Sequence, residues 1–230
     1  MLTTPAVWYG ICKRVLLSAF SRYSYNHRMM EHCKRVSVIS KRHVKAAERR
    51  DEPVPNLMTA GVVGENEFDT HADTCCAGAN WRYMAGTNEV CEVSPFLDSF
   101  PAVKEIPIAR CCTVWTSPVT GHEYLLVGEQ MLWFGTSMDH SLMNPNQMRE
   151  YGIPVYDNPV GNDRIGIDME DVFIPFDTTG TIVHFQSRVP TDWEMRHLPV
   201  ILLTGERWDP ATVQLGPGGQ SREEREMWTI

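Results

Sequence analysis

The chain has 230 residues, 43% of them hydrophobic and 22% charged, which suits a globular protein with a core to bury and excludes wholesale disorder and collagen-like sequence. No run approaches eighteen uninterrupted apolar residues, which excludes an ordinary membrane-spanning helix, and no membrane partner is expected. The net charge of −8 is split: residues 1–50 carry eleven Lys/Arg against two acids, net +9, and the remainder carries −17, so a basic arm precedes an acidic body that repels phosphate.

Residues 1–56 are the first unit expected. Lys13, Arg14, Arg22 and Arg28 stand among serines, with no Asp or Glu before Glu31. Mitochondrial transit peptides share that composition, and so do basic segments cut from a larger polyprotein. Helical periodicity is poor there, and Asp51-Glu52-Pro53-Val54-Pro55-Asn56 reads as a linker, so the sequence predicts a flexible basic arm. Its charge suits RNA, which gives residues 1–50 an RNA-binding reading beside that of a solvated linker; nothing in it resembles a zinc knuckle.

From Leu57 the texture changes to short β-rich runs between turn signals, which predicts a mainly β body. The expected strands are Leu57–Val63, Glu67–Asp69, Glu89–Val93, Ile106–Trp115, Glu123–Val127 and Gln130–Phe134. Ser117-Pro118-Val119-Thr120-Gly121 is a hairpin turn in which Pro sets φ and Gly accepts a positive one. Asn144–Tyr151 is the one short helix of this core, stopped by Gly152 and Pro154. After a loop at Asp157–Asp163, Val172–Phe176 and Thr181–Ser187 read as a hairpin around Asp177-Thr178-Thr179-Gly180. A helical turn at Trp193–Arg196 and a strand at Val200–Leu203 follow. Residues 158–205 are therefore a β-rich extension of the core at 57–157, and 206–230, with Gly216-Pro217-Gly218-Gly219, form a tail expected to be disordered.

Seven cysteines, Cys12, Cys33, Cys75, Cys76, Cys91, Cys111 and Cys112, are an odd number without a C-x-x-C spacing. They read as small buried hydrophobes in a reducing compartment, hence an intracellular, cytoplasmic protein, with the mitochondrion as the other destination.

The segment that carries chemistry is Glu67-Phe68-Asp69-Thr70-His71-Ala72-Asp73-Thr74-Cys75-Cys76-Ala77-Gly78. A β-run delivers Asp69 to a tight turn with a hydroxyl residue beside it, the order hydrophobic-Asp-Thr/Ser-Gly-Ala of aspartic protease loops. That chemistry needs two carboxylates. Held about 3 Å apart they cannot both ionise and share one proton. The ionised member takes a proton from water while the protonated one polarises the peptide carbonyl, and no covalent intermediate forms.

Asp69-Thr70-His71-Ala72-Asp73-Thr74 resembles the active-site loop of retropepsins, the proteases of retroviruses and retrotransposons. The likeness is strongest to copia-type elements, whose loop often reads Asp-Ser-Gly-Ala or Asp-Ser/Thr-His-Ala-Asp-Thr. About seventy residues on, Met138-Asp139-His140-Ser141-Leu142-Met143-Asn144-Pro145-Asn146-Gln147-Met148 resembles their segment Asn-Leu-Leu-Ser-x-x-Gln-Leu, in which two apolar residues pack behind the loop before a short helix. The likeness spans about residues 57–155. It implies a retropepsin-like acid-protease barrel with Asp69 as the catalytic carboxylate and Thr70 as the interlocking hydroxyl at a dimer axis. His71 and Ala72 complete the active-site loop, and Asp73 and Thr74 bind substrate. Leu142 and Met143 support the loop, and Cys91–Ile108 is the flap. It further implies an aspartic endopeptidase that hydrolyses polyprotein peptide bonds between the two chains of a homodimer, in the cytoplasm or a virus-like particle, with no metal and no organic cofactor.

Two departures from the pattern stand out. His71 replaces the more usual Gly, and Cys91–Ile108 contains no glycine where retropepsin flaps hinge on a Gly-rich tip. They keep two other readings in view: a catalytically inactive, retroelement-derived dimerisation or interaction module, and a gag-derived RNA-binding fragment working through residues 1–50. Plainer readings exist for single residues. Asp69 alone is an ordinary turn residue, and His71, Asp73 and Cys75 alternate like ligands but match no zinc spacing. Asp177-Thr178-Thr179-Gly180 has one residue too many for a second catalytic loop and reads as a hairpin turn. The chain thus supplies one carboxylate and a second chain the other.

Overall fold

The computed structural model describes residues 41–44, 59–94 and 101–213. The rest of the arm with Cys12 and Cys33, the start of the first expected strand, residues 95–100 of the expected flap and the tail from 214 lie outside the described residues.

Strands dominate, as the period-two patterning requires. In chain order they are β1 (Lys41–Val44), β2 (Val63–Phe68), β3 (Cys76–Ala77), β4 (Arg82–Val93), β5 (Val103–Thr116), β6 (Glu123–Trp133) and β7 (Ser141–Met143). They continue with β8 (Val155–Tyr156), β9 (Gly166–Asp168), β10 (Phe173–Pro175), β11 (Asp177–Thr179), β12 (Ile182–Arg188) and β13 (Val200–Leu202). Among the described residues two short α-helices, α1 (Pro145–Glu150) and α2 (Glu194–His197), interrupt them. Among the described residues no helix is long and apolar enough to cross a membrane. The main sheet has the order β1-β4-β5-β12-β2-β7-β3-β6-β13, with β11 added on β12, and β6 pairs back onto β5. The pairings β5-β12-β2-β7-β3-β6 therefore return on themselves. A separate small sheet has the order β10-β9-β8.

Several elements differ from their expected form for local reasons. The two strands expected at Glu123–Val127 and Gln130–Phe134 are one, β6, because Glu129-Gln130 is a bulge opposite Arg110 and not a turn. The β5–β6 register shifts between Ala109 and Cys111, and Gln130 takes a φ of 54°, which lets the strand bend and carry on. The hairpin at Asp177–Gly180 exists, but Asp177–Thr179 is itself an arm of it: Thr179 pairs with Ile182 across Gly180 and Thr181, with Gly180 at φ 65°. Val172–Phe176, expected as the other arm, instead supplies β10 and pairs with β9. Residues 59–62 precede the first central strand and are not part of it. Inside the expected flexible arm, Lys41–Val44 is an edge strand, running antiparallel to β4 from Lys41↔Glu92 to Val44↔Glu89.

The tail expectation also needs correction up to Val213. Trp208 is buried, and its indole Nε1 donates to the Asp73 carbonyl at 3.1 Å and to Thr74 Oγ1 at 3.2 Å. A large aromatic body with one donor seeks such a place, apolar around the ring and polar at the nitrogen. Residues 158–205 are built into the body: β12 pairs with β2 over five residues and β13 runs parallel to β6. Ile167, Ile174, Phe176, Phe185 and Leu203 share one core cluster with Trp81, Met143 and Met148.

Candidate active site

β2 delivers Asp69 to the position that defines the site. Its parallel partner β7 pairs Glu67 with Leu142 and Phe68 with Met143, and the next amide, of Asp69, donates to the Met143 carbonyl at 3.1 Å. The chain then loops out through residues 70–75 and re-enters as β3, antiparallel to β7. So β7 lies between the two ends of the loop, parallel to the incoming strand and antiparallel to the outgoing one.

The loop is held from behind by the segment that follows β7. Gln147, buried on α1, accepts from the Cys75 amide at 2.8 Å and donates to the Glu129 carbonyl at 3.2 Å. The Asn144 amide meets Cys75 Sγ at 3.2 Å, and the Gly78 amide donates to Ser141 Oγ at 2.9 Å. Helix α1 stands where it does because Asn144 caps it, accepting from the Asn146 amide at 2.7 Å, and Pro145 suits the first helical position. Gly78 has no substitute, because a Cβ there would overlap the His140 carbonyl.

At the apex the carboxylate is accessible. Asp69 has 27% of its side chain exposed, and Oδ1 accepts from the His71 amide at 2.8 Å. The His71 ring, half exposed, brings Nδ1 to 3.3 Å from the same oxygen. The side chain that stands in place of Gly therefore projects to solvent over the Asp, and the loop has room for it. Thr70 is exposed beside it, whereas Ala72 is buried at 1%. Thr74, expected at a substrate-binding position, is also buried at 1% and its hydroxyl is taken by Trp208, so it belongs to the interior. Asp73 is half-buried, with its carbonyl taken by the same indole.

Ala72 and Cys76 pack in one apolar cluster with Cys91, Val93, Ile108 and Leu142. The β4–β5 hairpin, which contains the expected flap, is thus anchored to the loop and to the residue behind it. Cys75 has its thiol pushed up to about 12 by burial, and burial also raises Cys76 and Cys111 well above the usual thiol range, so these sulfurs are inert packing groups.

The opposite faces of β2 differ sharply. Asn66 points inward: its Nδ2 donates to Ser187 Oγ at 2.8 Å and its Oδ1 accepts from Trp81 Nε1 at 2.6 Å. Asn80 Nδ2 joins it at 3.1 Å, Ser141 Oγ donates to Asn80 Oδ1 at 2.6 Å, and Thr113 Oγ1 meets Ser187 Oγ at 2.7 Å. Glu65, Glu67 and Asp69 alternate onto the other face. Glu67 is 6% exposed and burial holds its carboxyl above the usual range, an effect opposed by His140 and reinforced by Glu65 and Asp69.

Sequence reasoning missed this face, the Asn66 network, Gln147 and Trp208. The spacing Glu65-x-Glu67-x-Asp69 in a strand was the available signal for the first, and the Gln of the copia-like segment for the third; nothing local marks the members of the Asn66 network, which come from β5, β7, β12 and the turn before β4. Compared with protein-family models, curated proteins and solved structures, the chain matches none.

Proposed function

We propose that this chain is a retropepsin-like aspartic endopeptidase of retroelement origin that cuts polyprotein peptide bonds as a homodimer. The observation that carries the reading is the meeting of two segments far apart in sequence: Asp69 at the end of β2 is bonded through its amide to Met143, inside the second resembling segment. The self-returning order of strands around β2 and β7 supports an acid-protease barrel. The buried contact of Ala72 with the β4–β5 hairpin supports that hairpin as the flap over the cleft.

In the dimer each chain contributes one Asp69. The two carboxylates share a proton, one oxygen activates water, and the protonated partner polarises the scissile carbonyl. Thr70, exposed at the apex, meets its symmetry mate and keeps the pair coplanar. His71 Nδ1, beside Asp69 Oδ1, orients the carboxylate as the backbone amide of the same residue does. The test is cleavage of a peptide library by the full chain and by Asp69→Asn, which keeps the shape and removes the charge. The variant loses activity by at least about a hundredfold while its fold is retained. Cleavage that persists in Asp69→Asn overturns the assignment.

A further inference from the structure

Beside Asp69, the same face of β2 presents a group of side chains that peptide hydrolysis does not use. One donor atom each from Glu65, Glu67 and His140 lies within 4.8 Å of the other two. The backbone arranges this. Glu65 and Glu67 are two apart on a strand and share a face, and the parallel pairing Asn66↔Ser141 brings His140 alongside them.

Electrostatically the group is incomplete. Glu67 is 6% exposed, and among the described residues no hydrogen bond or ion pair reaches its carboxylate. A carboxylate so enclosed, with a second one next to it, is costly unless a cation offsets the charge. A second observation comes from β12. His184 sits directly across from Glu67 in the antiparallel register and is 5% exposed. Its Nε2 meets Thr179 Oγ1 at 3.0 Å, but its buried Nδ1 has no hydrogen-bond partner among the described residues.

We infer that Glu65, Glu67 and His140 bind a divalent cation of the zinc type, on the face of β2 that His184 also lines. Two carboxylates and a neutral imidazole balance a charge of +2, and the imidazole selects a borderline ion over calcium or magnesium, which prefer oxygen alone. Three protein ligands leave a fourth position for water or another ligand. The inference does not rest on the peptidase reading, since binding is measured without turnover.

The probe is Zn²⁺ itself, at buffered free concentrations, with the full chain. Stoichiometry by equilibrium dialysis and thermal melting are compared for the unmodified chain, Glu67→Gln and His140→Asn. The unmodified chain holds one more zinc ion than either variant, or holds it at least about tenfold more tightly, and only its melting temperature rises with zinc. Glu67→Gln folds without metal because it removes an unpaired charge at constant volume, and His140→Asn tests the site from a second, less buried position. Equal zinc content and equal zinc-induced shifts in all three chains would overturn the inference, as would an unmodified chain whose stability ignores zinc.

Discussion

Asn66 and Glu67 are neighbours on β2, both nearly enclosed, and their side chains meet opposite fates. Asn66 has donors and acceptors satisfied by Trp81, Ser187 and Asn80, in a network that ties β2 to β5, β7, β12 and the turn before β4. Glu67 shares its face with Glu65, Asp69, His140 and His184 and has only charge for company. A buried polar network that is fully paired fixes geometry. An enclosed carboxylate without a hydrogen-bond partner costs stability instead. One strand is thus tied into a paired network on one side and carries a cluster of acidic and histidine side chains on the other.

The contrast can be broken most severely on the mount. Asn66→Ala strands the Trp81 indole N–H and removes a partner from Ser187 and Asn80; the fold should lose about 3 kcal/mol, read from chemical denaturation. A wild-type midpoint would mean that the network is ornamental.

Glu194 sharpens the comparison as a carboxylate with partners. It accepts from Arg188 at 2.6 and 3.0 Å and from the Thr191 amide at 2.7 Å, and these hydrogen bonds, with Arg188 first, hold its carboxyl down at about 2. The folded value lies below the unfolded one, so this stabilisation is complete above about pH 4.5 and is lost as pH falls toward 2. Glu194→Gln should cost about 2 kcal/mol at pH 7 and little near pH 2. Equal cost at both pH values would contradict the pairing.

Glu67 has the reverse sign. Its carboxyl is raised by burial, so it favours the fold when protonated and disfavours it as pH rises through the raised value. In metal-free buffer at pH 7, Glu67→Gln should stabilise the chain by about 1 kcal/mol, and the gain should vanish in acid. Destabilisation at pH 7 would reveal a partner for that carboxylate.

The sequence made the β character legible because alternation and turn residues are local signals. It also placed Asp69 at the end of a strand, and the short helix through Asn144, Pro145 and Gly152. What it obscured was non-local. The strands expected at Glu123–Val127 and Gln130–Phe134 run on as one because the pairing of β6 with β5 absorbs a bulge, and Trp208 lay beyond the apparent end of the body because its hydrogen-bond partners are at Asp73 and Thr74. Val172–Phe176 could have paired with either neighbour in the chain, and burial of Ile174 against the core decides for β9. Gln147 was present in the resembling segment, but its task, holding the Cys75 amide, becomes visible only in three dimensions.

The most direct test of the account is a mixing experiment on cleavage. The unmodified chain is equilibrated with roughly a tenfold excess of Asp69→Asn, so that nearly every unmodified chain sits in a mixed dimer. If one Asp69 from each chain forms the site, cleavage per unmodified chain falls about tenfold. Cleavage per unmodified chain that stays constant would mean that a single chain carries the whole site, and would contradict the account.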